Sequence, residues 1–488
     1  MRREVRVVFR DRIVLLDGNA ARMMLLDWLR LVARASGTKE GCAEGDCGAC
    51  TVVLQRMHDG RLVNEAVNAC ILLAGQADGA RIVTVEDLAR ESGGELHPVQ
   101  AAMVRHHGAQ CGFCTPGIVM SLYALHGSSE RPVSREMVCD QLAGNLCRCT
   151  GYRPIIDAAL DACAGEAEAT PPHAMLSSLA GDDDILVGDD NVFFAAPASE
   201  STLASLCQKN PDARIVSGAT DFGLLVTKGL EQPQKVIWLG RVNGLERIED
   251  QADMLRLGAT VTHAAARSFL AAIHPDLGEV MRRFGSVQVR NSGTVGGNIA
   301  NASPIGDLAP CLIALGAELE LASTAGKRTI PLEDFFIAYR KQDRRPGEYV
   351  RSVTARKLVA DRQFRAFKIS KRIDEDISSV LGAFNVEVSG NKIASARIAF
   401  GGMAGVPARA RQTEAALAGA DLSRPQSWQP SLDSLARDFQ PIDDHRASSA
   451  YRALVARNLL RKALMEIGGT PQAETRLPHA TEARDAAE

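Results

Sequence analysis

The sequence predicts a multidomain protein of the α+β class, and three observations support this prediction. A chain of 488 residues is long enough for roughly three domains. Ten of the twelve cysteines lie before residue 164, and only Cys207 and Cys311 follow. The later part of the chain carries short apolar strands that break into glycine-dense loops. We therefore expect a cysteine-rich N-terminal part followed by an α/β remainder.

The composition excludes several classes of partner. The formal net charge is −3 and aromatic residues make up 5% of the chain, which argues against nucleic-acid binding. The N-terminus has no apolar core of signal-peptide length, and no apolar run reaches the 18 residues of a membrane span. We therefore expect a cytoplasmic protein that binds no membrane. In a reducing cytoplasm the cysteines are expected to serve as metal ligands rather than to form disulfides.

The first 60 residues predict a small α+β sheet. Residues 5–9 and 13–16 have the pattern of two strands in a hairpin. Residues 20–35 carry apolar side chains at helical spacing, with a stripe from Met24 to Val32 expected to face the core. A further strand is predicted at residues 51–54, before a turn at 58–60. A cysteine loop lies between this helix and this strand.

The first cysteine set has the spacing of a plant-type [2Fe–2S] cluster. Four residues separate its first two cysteines, two residues separate the next pair, and a distant cysteine follows. Glycines in the loop allow tight turns that can aim backbone amides at sulfur. A zinc site or a disulfide loop is the alternative, although zinc sites usually use two C-x2-C pairs. The set consists of Cys42, Cys47, Cys50 and Cys70.

A second cysteine set follows, with two predicted helices between its pairs. The first helix opens at Pro116 and ends at Gly127, and the second begins at Ser134 as its N-cap and turns Met137, Leu142 and Cys139 inward. A third helix is predicted to end near Ala164. Cysteine pairs at the ends of packed helices can converge on one metal centre. The set consists of Cys111, Cys114, Cys147 and Cys149, whereas Cys139, Cys163, Cys207 and Cys311 lack partners at ligand spacing and are predicted to be small buried hydrophobes.

The two sets together resemble the iron–sulfur module of the xanthine dehydrogenase family of molybdenum hydroxylases. The resemblance rests on the spacing of the first set and on the motifs QCGFCTPG and NLCRCTGYRPI of the second. It implies a ferredoxin-like β-grasp domain at residues 1–82 and a helical [2Fe–2S] bundle at residues 83–164. Each cysteine set would then hold one [2Fe–2S] cluster. Residues 165–192 are rich in turn formers and acidic residues and are predicted to be a linker.

Two glycine-dense loops in the remainder resemble the flavin-binding loops of the same family. They carry the sequences IVSGATDFG and TVGGNIANASPIGDL. Taken alone, such loops are either tight turns or nests of N–H groups for a pyrophosphate. The resemblance implies an FAD domain of the vanillyl-alcohol-oxidase type at residues 193–349. The implied FAD-contacting residues are Ile215, Val216, Ser217, Gly218, Ala219, Thr220, Asp221, Phe222, Phe284, Thr294, Val295, Gly296, Gly297, Asn298, Asp307, Val350 and Lys368.

The last part of the chain resembles the C-terminal α+β subdomain of these flavoproteins. Strands are predicted at residues 364–369 and 393–400, and a helix at residues 448–467. We expect this subdomain to cover residues 350–468, with a disordered tail at 469–488. The charged segment 371–376 is either a solvated loop or a lid where a nicotinamide nucleotide meets the flavin.

The resemblance implies an electron-transfer chain with no catalytic acid or base of its own. Electrons would enter from a molybdopterin-binding large subunit, because single-chain members of the family continue into a molybdopterin domain where this sequence ends. They would pass through both clusters to FAD and then to NAD+, in an (αβ)2 heterotetramer. Three alternatives remain open at this stage: service to another molybdenum hydroxylase, an acceptor other than NAD+, and a non-enzymatic zinc-binding scaffold.

Overall fold

The computed structural model describes residues 1–58, 60–128, 130–166, 173–179 and 181–477. Two compact units are present: the first holds residues 1–246, 262–264 and 285–294, and the second holds residues 247–261, 265–284 and 295–488. Each unit draws on separate stretches of the chain.

The described residues up to 246 form nine strands and nine helices, with short π and 3-10 turns at Trp28–Val32, Ala74–Ala77 and Ser177–Leu179. In chain order they are β1 (Val5–Phe9), β2 (Arg12–Leu16), α1 (Gly18–Arg22), α2 (Leu25–Asp27), β3 (Thr51–His58), β4 (Arg61–Asn68), β5 (Arg81–Val83), α3 (Val85–Glu91), α4 (Pro98–Arg105), α5 (Thr115–His126), α6 (Arg135–Leu142), α7 (Arg153–Ala162), β6 (Ile185–Gly188), β7 (Phe193–Ala196), α8 (Glu200–Lys209), β8 (Arg214–Val216), α9 (Phe222–Thr227) and β9 (Lys235–Trp238).

The remaining elements follow in the same order. They are β10 (Ile248–Asp250), β11 (Met254–Gly258), α10 (His263–Ile273), α11 (Pro275–Arg282), α12 (Val287–Ser292), α13 (Val295–Asn301), α14 (Leu308–Ala314), β12 (Glu318–Ser323), β13 (Gly326–Pro331), α15 (Leu332–Phe335), β14 (Phe336–Ala338), β15 (Lys341–Gln342), β16 (Tyr349–Arg356), β17 (Arg362–Ile369), β18 (Val380–Ser389), β19 (Lys392–Gly401), β20 (Ala408–Arg409), α16 (Arg411–Leu417), α17 (Pro425–Asp438), α18 (Ser449–Ile467) and α19 (Gln472–Thr475).

The first unit opens with a five-stranded sheet in the order β2-β1-β5-β3-β4. The predicted hairpin is confirmed as β1 and β2, and β1 pairs in parallel with β5. The single predicted helix over residues 20–35 is wrong, because the backbone is extended at Met23 and Met24. Met24 bridges Leu73 there, and a strand-like bridge needs an extended backbone. The prediction that Val32 faces the core is also wrong, since 57% of its surface is exposed.

Four helices, α4 to α7, pack around a second core in this unit. The predicted helix over residues 116–127 is confirmed as α5, and α6 begins after Ser134, whose Oγ accepts from the Met137 N–H at 3.2 Å. The predicted inward face of α6 is partly wrong, because Cys139 is exposed and Met137 only half-buried. The prediction for Leu142 is confirmed, because Leu142 is buried together with Val138, which lies four residues before it on the same helix face.

A four-stranded sheet in the order β6-β7-β9-β8 completes the first unit. Strands β7, β9 and β8 run in parallel, and β6 pairs antiparallel with β7. Strand β6 falls within the segment expected to be a linker, of which residues 167–172 and 180 lie outside the described residues. The segment therefore ends in regular structure that joins the sheet carrying the first glycine-dense loop.

Three antiparallel sheets and their helices form the described part of the second unit. Their strand orders are β10-β11-β16-β12-β13, β17-β18-β19-β20 and the two-stranded β14-β15. The predicted strands over 364–369 and 393–400 are confirmed as β17 and β19, and α18 matches the predicted last helix. In the described part of the chain, none of the helices combines the length and apolar character needed to cross a lipid bilayer.

A C-terminal strap, residues 471–476, is ordered where the sequence suggested a disordered tail. It forms α19 and ends at Arg476, which reaches two buried carboxylates. Arg476 donates to Asp276 Oδ1 at 2.7 Å and to Glu466 Oε2 at 2.6 Å. The two carboxylate side chains are 4% and 0% exposed, so removing Arg476 would leave buried negative charge with fewer partners. The rest of the predicted tail, residues 478–488, lies outside the described residues.

Removal of the Arg476 side chain is expected to destabilise the second unit. Arg476→Ala leaves Asp276 and Glu466 underpaired, which costs about 3 kcal/mol of unfolding free energy at pH 7. Burial alone raises the pKa of Glu466, but hydrogen bonds and charge from Arg476 lower it below the ordinary 4.5. This stabilisation is therefore present above pH 4.5 and is lost as the pH falls through the lower folded pKa.

The measurement is urea denaturation at several pH values, followed by hydrogen exchange of peptides from α18 and β17. The variant should show a smaller loss of stability on acidification than the parent. Arg457→Ala is the matched control, because Arg457 pairs with Asp433 at 3.1 Å on the surface and should contribute less than about 1 kcal/mol. Equal effects of the two substitutions would contradict the prediction.

Candidate functional site

The first cysteine loop is shaped by residues in the left-handed region. Gly45 and Gly48 have φ of +83° and +66°, and Ala43 has φ of +54°. A side chain on Gly48 would place its Cβ 2.1 Å from the Gly144 carbonyl oxygen, so glycine is required there. A Cβ on Gly41 would lie 2.7 Å from Cys47 Sγ. The loop therefore wraps closely around its sulfur atoms.

Backbone amides point at the cysteine sulfurs in this loop. The N–H groups of Glu44, Asp46 and Cys47 each donate to Cys42 Sγ at 3.4 Å, and the Cys42 N–H donates to Cys47 Sγ at 3.3 Å. Four donors around two sulfurs stabilise negative charge on those atoms. This is the environment that thiolate ligands of an iron–sulfur cluster need.

The four sulfurs of the first set meet in the structure. Side-chain hydrogen bonds join Cys42 to both Cys47 and Cys70, and Cys70 to Cys50. Hydrogen bonds from Cys47 and Cys70 hold the pKa of Cys42 far below its usual range. The same contacts raise the pKa values of Cys47 and Cys70. Asn68 supports the loop from β4, because its Nδ2 donates to the Gly45 carbonyl at 2.8 Å.

The second cysteine set lies at the ends of α5 and α7. Burial, together with a hydrogen bond from Cys147, raises the pKa of Cys114 to about 12. Burial alone raises the pKa of Cys147, but the Thr150 hydroxyl, at 3.2 Å from its Sγ, and backbone N–H groups lower it overall. Cys111 acts on Cys114 through its charge, and the backbone of Cys149 donates to Cys147. The predicted four are thus neighbours in space.

The donor chemistry of both sets fits [2Fe–2S] clusters. In such a cluster each iron takes two thiolates, so sulfurs grouped in pairs are the expected arrangement. Both sets are sulfur-only and are surrounded by N–H or O–H donors. Among the described residues, no group of three or more His, Cys, Asp or Glu side chains has the arrangement of a site for a single metal ion.

A lysine from α9 supplies positive charge to the first cysteine loop. Lys228 Nζ donates to the Cys42 carbonyl at 2.5 Å and lies 3.4 Å from the Glu44 carboxylate. A nearby cation favours the reduced, more negative state of a redox centre. Lys228→Met is therefore expected to lower the midpoint potential of the cluster in this loop by tens of millivolts. For a one-electron couple, about 59 mV corresponds to a tenfold change in the equilibrium constant for reduction.

Redox titration monitored by electron paramagnetic resonance would measure this shift. Lys235→Met is the control, because Lys235 pairs with Asp212 in the same unit at 3.3 Å. Its potentials should equal those of the parent. A change in the midpoint potential of the second cluster instead of the first would contradict the assignment of the two resonance signals to the two cysteine sets.

Eight of the predicted flavin residues of the first unit, 215–222, form one continuous segment, the flavin loop, and Thr294 is distant from it in sequence. The segment runs from the end of β8 through the turn that follows to the start of α9, and Ala219 takes φ of +62° within it. A Cβ on Gly218 would lie 2.0 Å from the Ser292 carbonyl oxygen, so the loop packs directly against the segment that leads to Thr294. Thr294 is buried and forms a bridge with Thr262.

The other predicted flavin residues belong to the second unit, and two of them, Lys368 and Asp307, form a buried ion pair. Lys368 Nζ donates to Asp307 Oδ2 at 2.7 Å, with the two side chains 3% and 5% exposed. The buried Oδ1 of Asn298 has no hydrogen-bond partner among the described residues. A ligand rich in hydroxyl donors, such as the ribityl and ribose groups of FAD, would satisfy that oxygen. This part of the unit fits the cofactor.

The remaining predicted residues differ in what surrounds them. A Cβ on Gly296 would lie 2.5 Å from the Cβ of Ala259, so this glycine allows α13 to approach β11. Val350 packs into the core of the second unit and is 5% exposed. Val295 is fully buried in the same core, while Phe284 is half-buried after α11. Gly297 lies within α13.

Sequence reasoning missed several polar residues that support these sites. Ser378 Oγ donates to Asp307 Oδ1 at 2.6 Å across 71 residues of chain. In the first unit, Gln76 Nε2 and Trp238 Nε1 both donate to the Ser217 carbonyl, at 2.9 and 3.1 Å. Nothing in the local pattern around these residues indicates such a role. The contacts exist only because the fold brings distant segments together.

Comparison with known proteins gives the class of protein: one with [2Fe-2S]-binding and FAD-binding domains. Three family models match the chain. They are a [2Fe-2S] binding domain over residues 84–160, an FAD binding domain in molybdopterin dehydrogenase over residues 190–355, and a CO dehydrogenase flavoprotein C-terminal domain over residues 365–467. The chain belongs to the molybdenum hydroxylase family, of which it is an iron–sulfur and FAD-binding portion.

Curated relatives agree with this assignment. Xanthine dehydrogenase of Drosophila pseudoobscura pseudoobscura is 34% identical over 444 residues, which cover 78% of this chain and 33% of the relative. Xanthine dehydrogenase of Oryza sativa subsp. japonica is 33% identical, with 84% and 35% covered. The chain thus spans about a third of the length of the curated relatives it matches.

Solved structures show the same fold over part of the chain. A carbon monoxide dehydrogenase from Hydrogenophaga pseudoflava that lacks the Mo-pyranopterin moiety is 25% identical at a TM-score of 0.53. Quinoline 2-oxidoreductase from Pseudomonas putida 86 is 26% identical at a TM-score of 0.51. Each match covers 56% of this chain and 95% of the solved chain. The predicted α+β multidomain class, with iron–sulfur, FAD-binding and C-terminal domains, is confirmed.

Proposed function

We propose that the chain is the small, iron–sulfur and FAD subunit of a xanthine dehydrogenase. It passes electrons from a molybdopterin-binding large subunit, which oxidises hypoxanthine and xanthine in purine catabolism, through two [2Fe–2S] clusters to FAD and NAD+. The observation that carries this proposal is the similarity to xanthine dehydrogenases over 78 to 84% of the chain. The protein acts in the cytoplasm as part of an (αβ)2 heterotetramer.

In this function the clusters and the flavin supply all of the redox chemistry. The chain's own residues bind and position these groups. Cys42, Cys47, Cys50 and Cys70 hold the first cluster, and their loop amides stabilise its charge. The second cluster is held by Cys111, Cys114, Cys147 and Cys149.

We propose that FAD contacts the residues that the family resemblance implies. Residues 215–222 of the first unit form a close-packed loop suited to a flat cofactor, supported by hydrogen bonds to the Ser217 carbonyl. In the second unit, the proposed FAD contacts include the buried ion pair Lys368–Asp307 and the unpartnered Asn298 oxygen. We also propose the domain boundaries at residues 82, 164, 192, 349 and 468.

The large subunit is proposed to dock on the face that carries the second cysteine set. Cys111 and Cys149 are exposed there, and the neighbouring apolar side chains of Phe113 and Leu146 are 50% and 47% exposed. Exposed large apolar groups next to redox ligands favour a protein partner over solvent. Electrons would thus enter at the second cluster.

A second candidate is the same architecture in another molybdenum hydroxylase, with a different substrate or acceptor. The similarity to carbon monoxide dehydrogenase and to quinoline 2-oxidoreductase favours it. A zinc-binding scaffold without flavin is the further alternative. It is disfavoured by the amide groups directed at Cys42 Sγ and by the match to an FAD binding domain.

An anaerobic titration of the purified chain with NADH tests the proposal. Flavin bleaching and the electron-spin signals of the clusters are followed together. Flavin bleaching with two distinct reduced [2Fe–2S] signals supports the full electron chain. If dithionite produces both signals and NADH produces neither, the NAD+ assignment fails. A colourless preparation that contains zinc would support the scaffold instead.

A further inference from the structure

Helix α12 joins parts of the first unit that are distant in sequence. It begins after Ser286, whose Oγ accepts from the Val289 N–H at 3.1 Å and caps the helix. Near its other end, Asn291 Nδ2 donates to the Ala66 carbonyl of β4 at 3.0 Å. The cap stabilises the start of the helix, and the Asn291 contact holds its other end against β4.

The first turn of α12 buries a glutamine that no cofactor assignment uses. Gln288 is 1% exposed. Its Nε2 donates to Asn145 Oδ1 at 3.0 Å, to Ser121 Oγ at 3.1 Å and to Thr51 Oγ1 at 3.2 Å. A buried amide that shares its two hydrogens among three acceptors is held in one orientation.

The acceptors belong to both cysteine loops. Thr51 directly follows Cys50 of the first set, and Asn145 lies two residues before Cys147 of the second. The Thr51 hydroxyl and the Asn145 amide also donate to the Gly48 carbonyl, at 2.7 and 3.1 Å. One glutamine thus contacts a network that joins the two ligand loops.

The orientation of the Gln288 amide follows from the network. Ser121 Oγ donates to Asn145 Oδ1 at 2.6 Å, so a reversed Gln288 amide would set its oxygen against an acceptor. Gln288 Oε1 has no hydrogen-bond partner among the residues that the structure describes. Close packing holds it there, since a Cβ on Gly144 would lie 2.4 Å from it.

The last turn of α12 contacts the predicted flavin loop of the same unit. An added Cβ on Gly218 would lie 2.0 Å from the Ser292 carbonyl oxygen. The next residue, Gly293, accepts from the His263 N–H at 2.9 Å. The helix therefore has one end on the cysteine loops and the other on residues 215–222.

We propose that α12 is a spacer that sets the separation between the cysteine loops and the flavin loop, with Gln288 as its positioning residue. The inference rests on the proposed electron-transfer function. Six helical residues span about 9 Å as a rigid rod. Since electron-transfer rates fall steeply with distance, a fixed spacer fixes the rate. Hydrogen bonds from residues around the ligand cysteines also affect the orientation and basicity of those cysteines.

The test compares matched variants of the full chain loaded with iron and FAD. Gln288→Leu keeps the side-chain volume and removes the three hydrogen bonds. Gln55→Leu is the control, because Gln55 is also 1% exposed and its Nε2 donates to Asn64 and Tyr123 at 2.9 and 3.2 Å. Thr51→Val removes one of the three acceptors, and it is the variant to measure if Gln288→Leu does not fold.

Two readouts are recorded: the electron-spin line shapes of both reduced clusters, and the rate at which an electron delivered by a light pulse equilibrates between clusters and flavin. Gln288→Leu should retain iron and FAD, change both line shapes and slow equilibration severalfold. Thr51→Val should change the line shapes and the equilibration rate in the same direction as Gln288→Leu, by a smaller amount. Gln55→Leu should lose stability and keep the parent's line shapes and rate.

Unchanged line shapes and rate in Gln288→Leu would overturn the inference, as would equal changes in Gln55→Leu. If Gln288→Leu does not fold, an unchanged Thr51→Val overturns it. A parent protein without two distinct reduced-cluster signals would instead overturn the proposed function, and the inference with it.

Discussion

Cys47→Ser is expected to remove the first cluster and to leave the second. Cys47 contacts Cys42 through both its sulfur and its amide, so the substitution removes one proposed ligand and its sulfur contact with a second. Iron content should fall from about four to about two atoms per chain. One reduced-cluster signal should disappear, and NADH should still bleach the flavin. Metal analysis and electron paramagnetic resonance measure these changes.

Cys139→Ser is the matched control for this substitution. Cys139 lies on α6 in the same unit and is exposed. It should retain the full iron content and both signals. Loss of iron from both sites in Cys47→Ser would show that the two loops fold only together, and would contradict the prediction of independent clusters.

Lys368→Met is expected to cause the largest loss of stability among single substitutions in the second unit. It leaves the Asp307 carboxylate buried without its cation, which costs about 3 to 5 kcal/mol. Ser378 still donates to Asp307 but carries no charge. Flavin content should fall with stability. Urea denaturation followed by hydrogen exchange over β17, and flavin absorbance, give the two values.

The double variant Lys368→Met with Asp307→Asn separates two roles of the lysine. It removes the unpaired charge and should recover much of the lost stability. Flavin content should stay low, because the proposed contact of Lys368 with FAD is still missing. Lys357→Met is the control, since Lys357 pairs with Asp250 on the surface at 2.6 Å and contributes about 1 kcal/mol or less. A flavin content restored by the double variant would contradict the proposed contact.

The cysteine sites illustrate how far sequence reasoning reaches. The spacing of Cys42, Cys47 and Cys50 predicts a shared centre because a short loop leaves few ways to place three thiols. The structure adds the amide donors and the contact with Cys70. It also gives the reason for Gly48, whose hydrogen faces the Gly144 carbonyl across 96 residues of chain.

Helix prediction succeeded where caps were local and failed where tertiary pairing intervened. Ser134 and Gly127 mark helix ends through contacts within a few residues, so the sequence locates them. The helix over residues 20–35 has apolar spacing throughout, yet the bridge from Met24 to Leu73 interrupts it. Nothing near Met24 in the sequence indicates that partner.

The sequence by itself predicted two sets of cysteines as cluster ligands, two glycine-dense loops as cofactor contacts, and most of the strands and helices that flank them. The cysteine sets and the flanking elements follow from spacing over a few residues, where chain geometry leaves little freedom, whereas the flavin loops rest on the resemblance to a family. Only the tertiary structure decided the buried partnerships, such as Lys368 with Asp307 and Gln288 with Asn145. Each joins residues more than 60 positions apart, and only folding brings such pairs together, because local propensity carries no information on distant contacts.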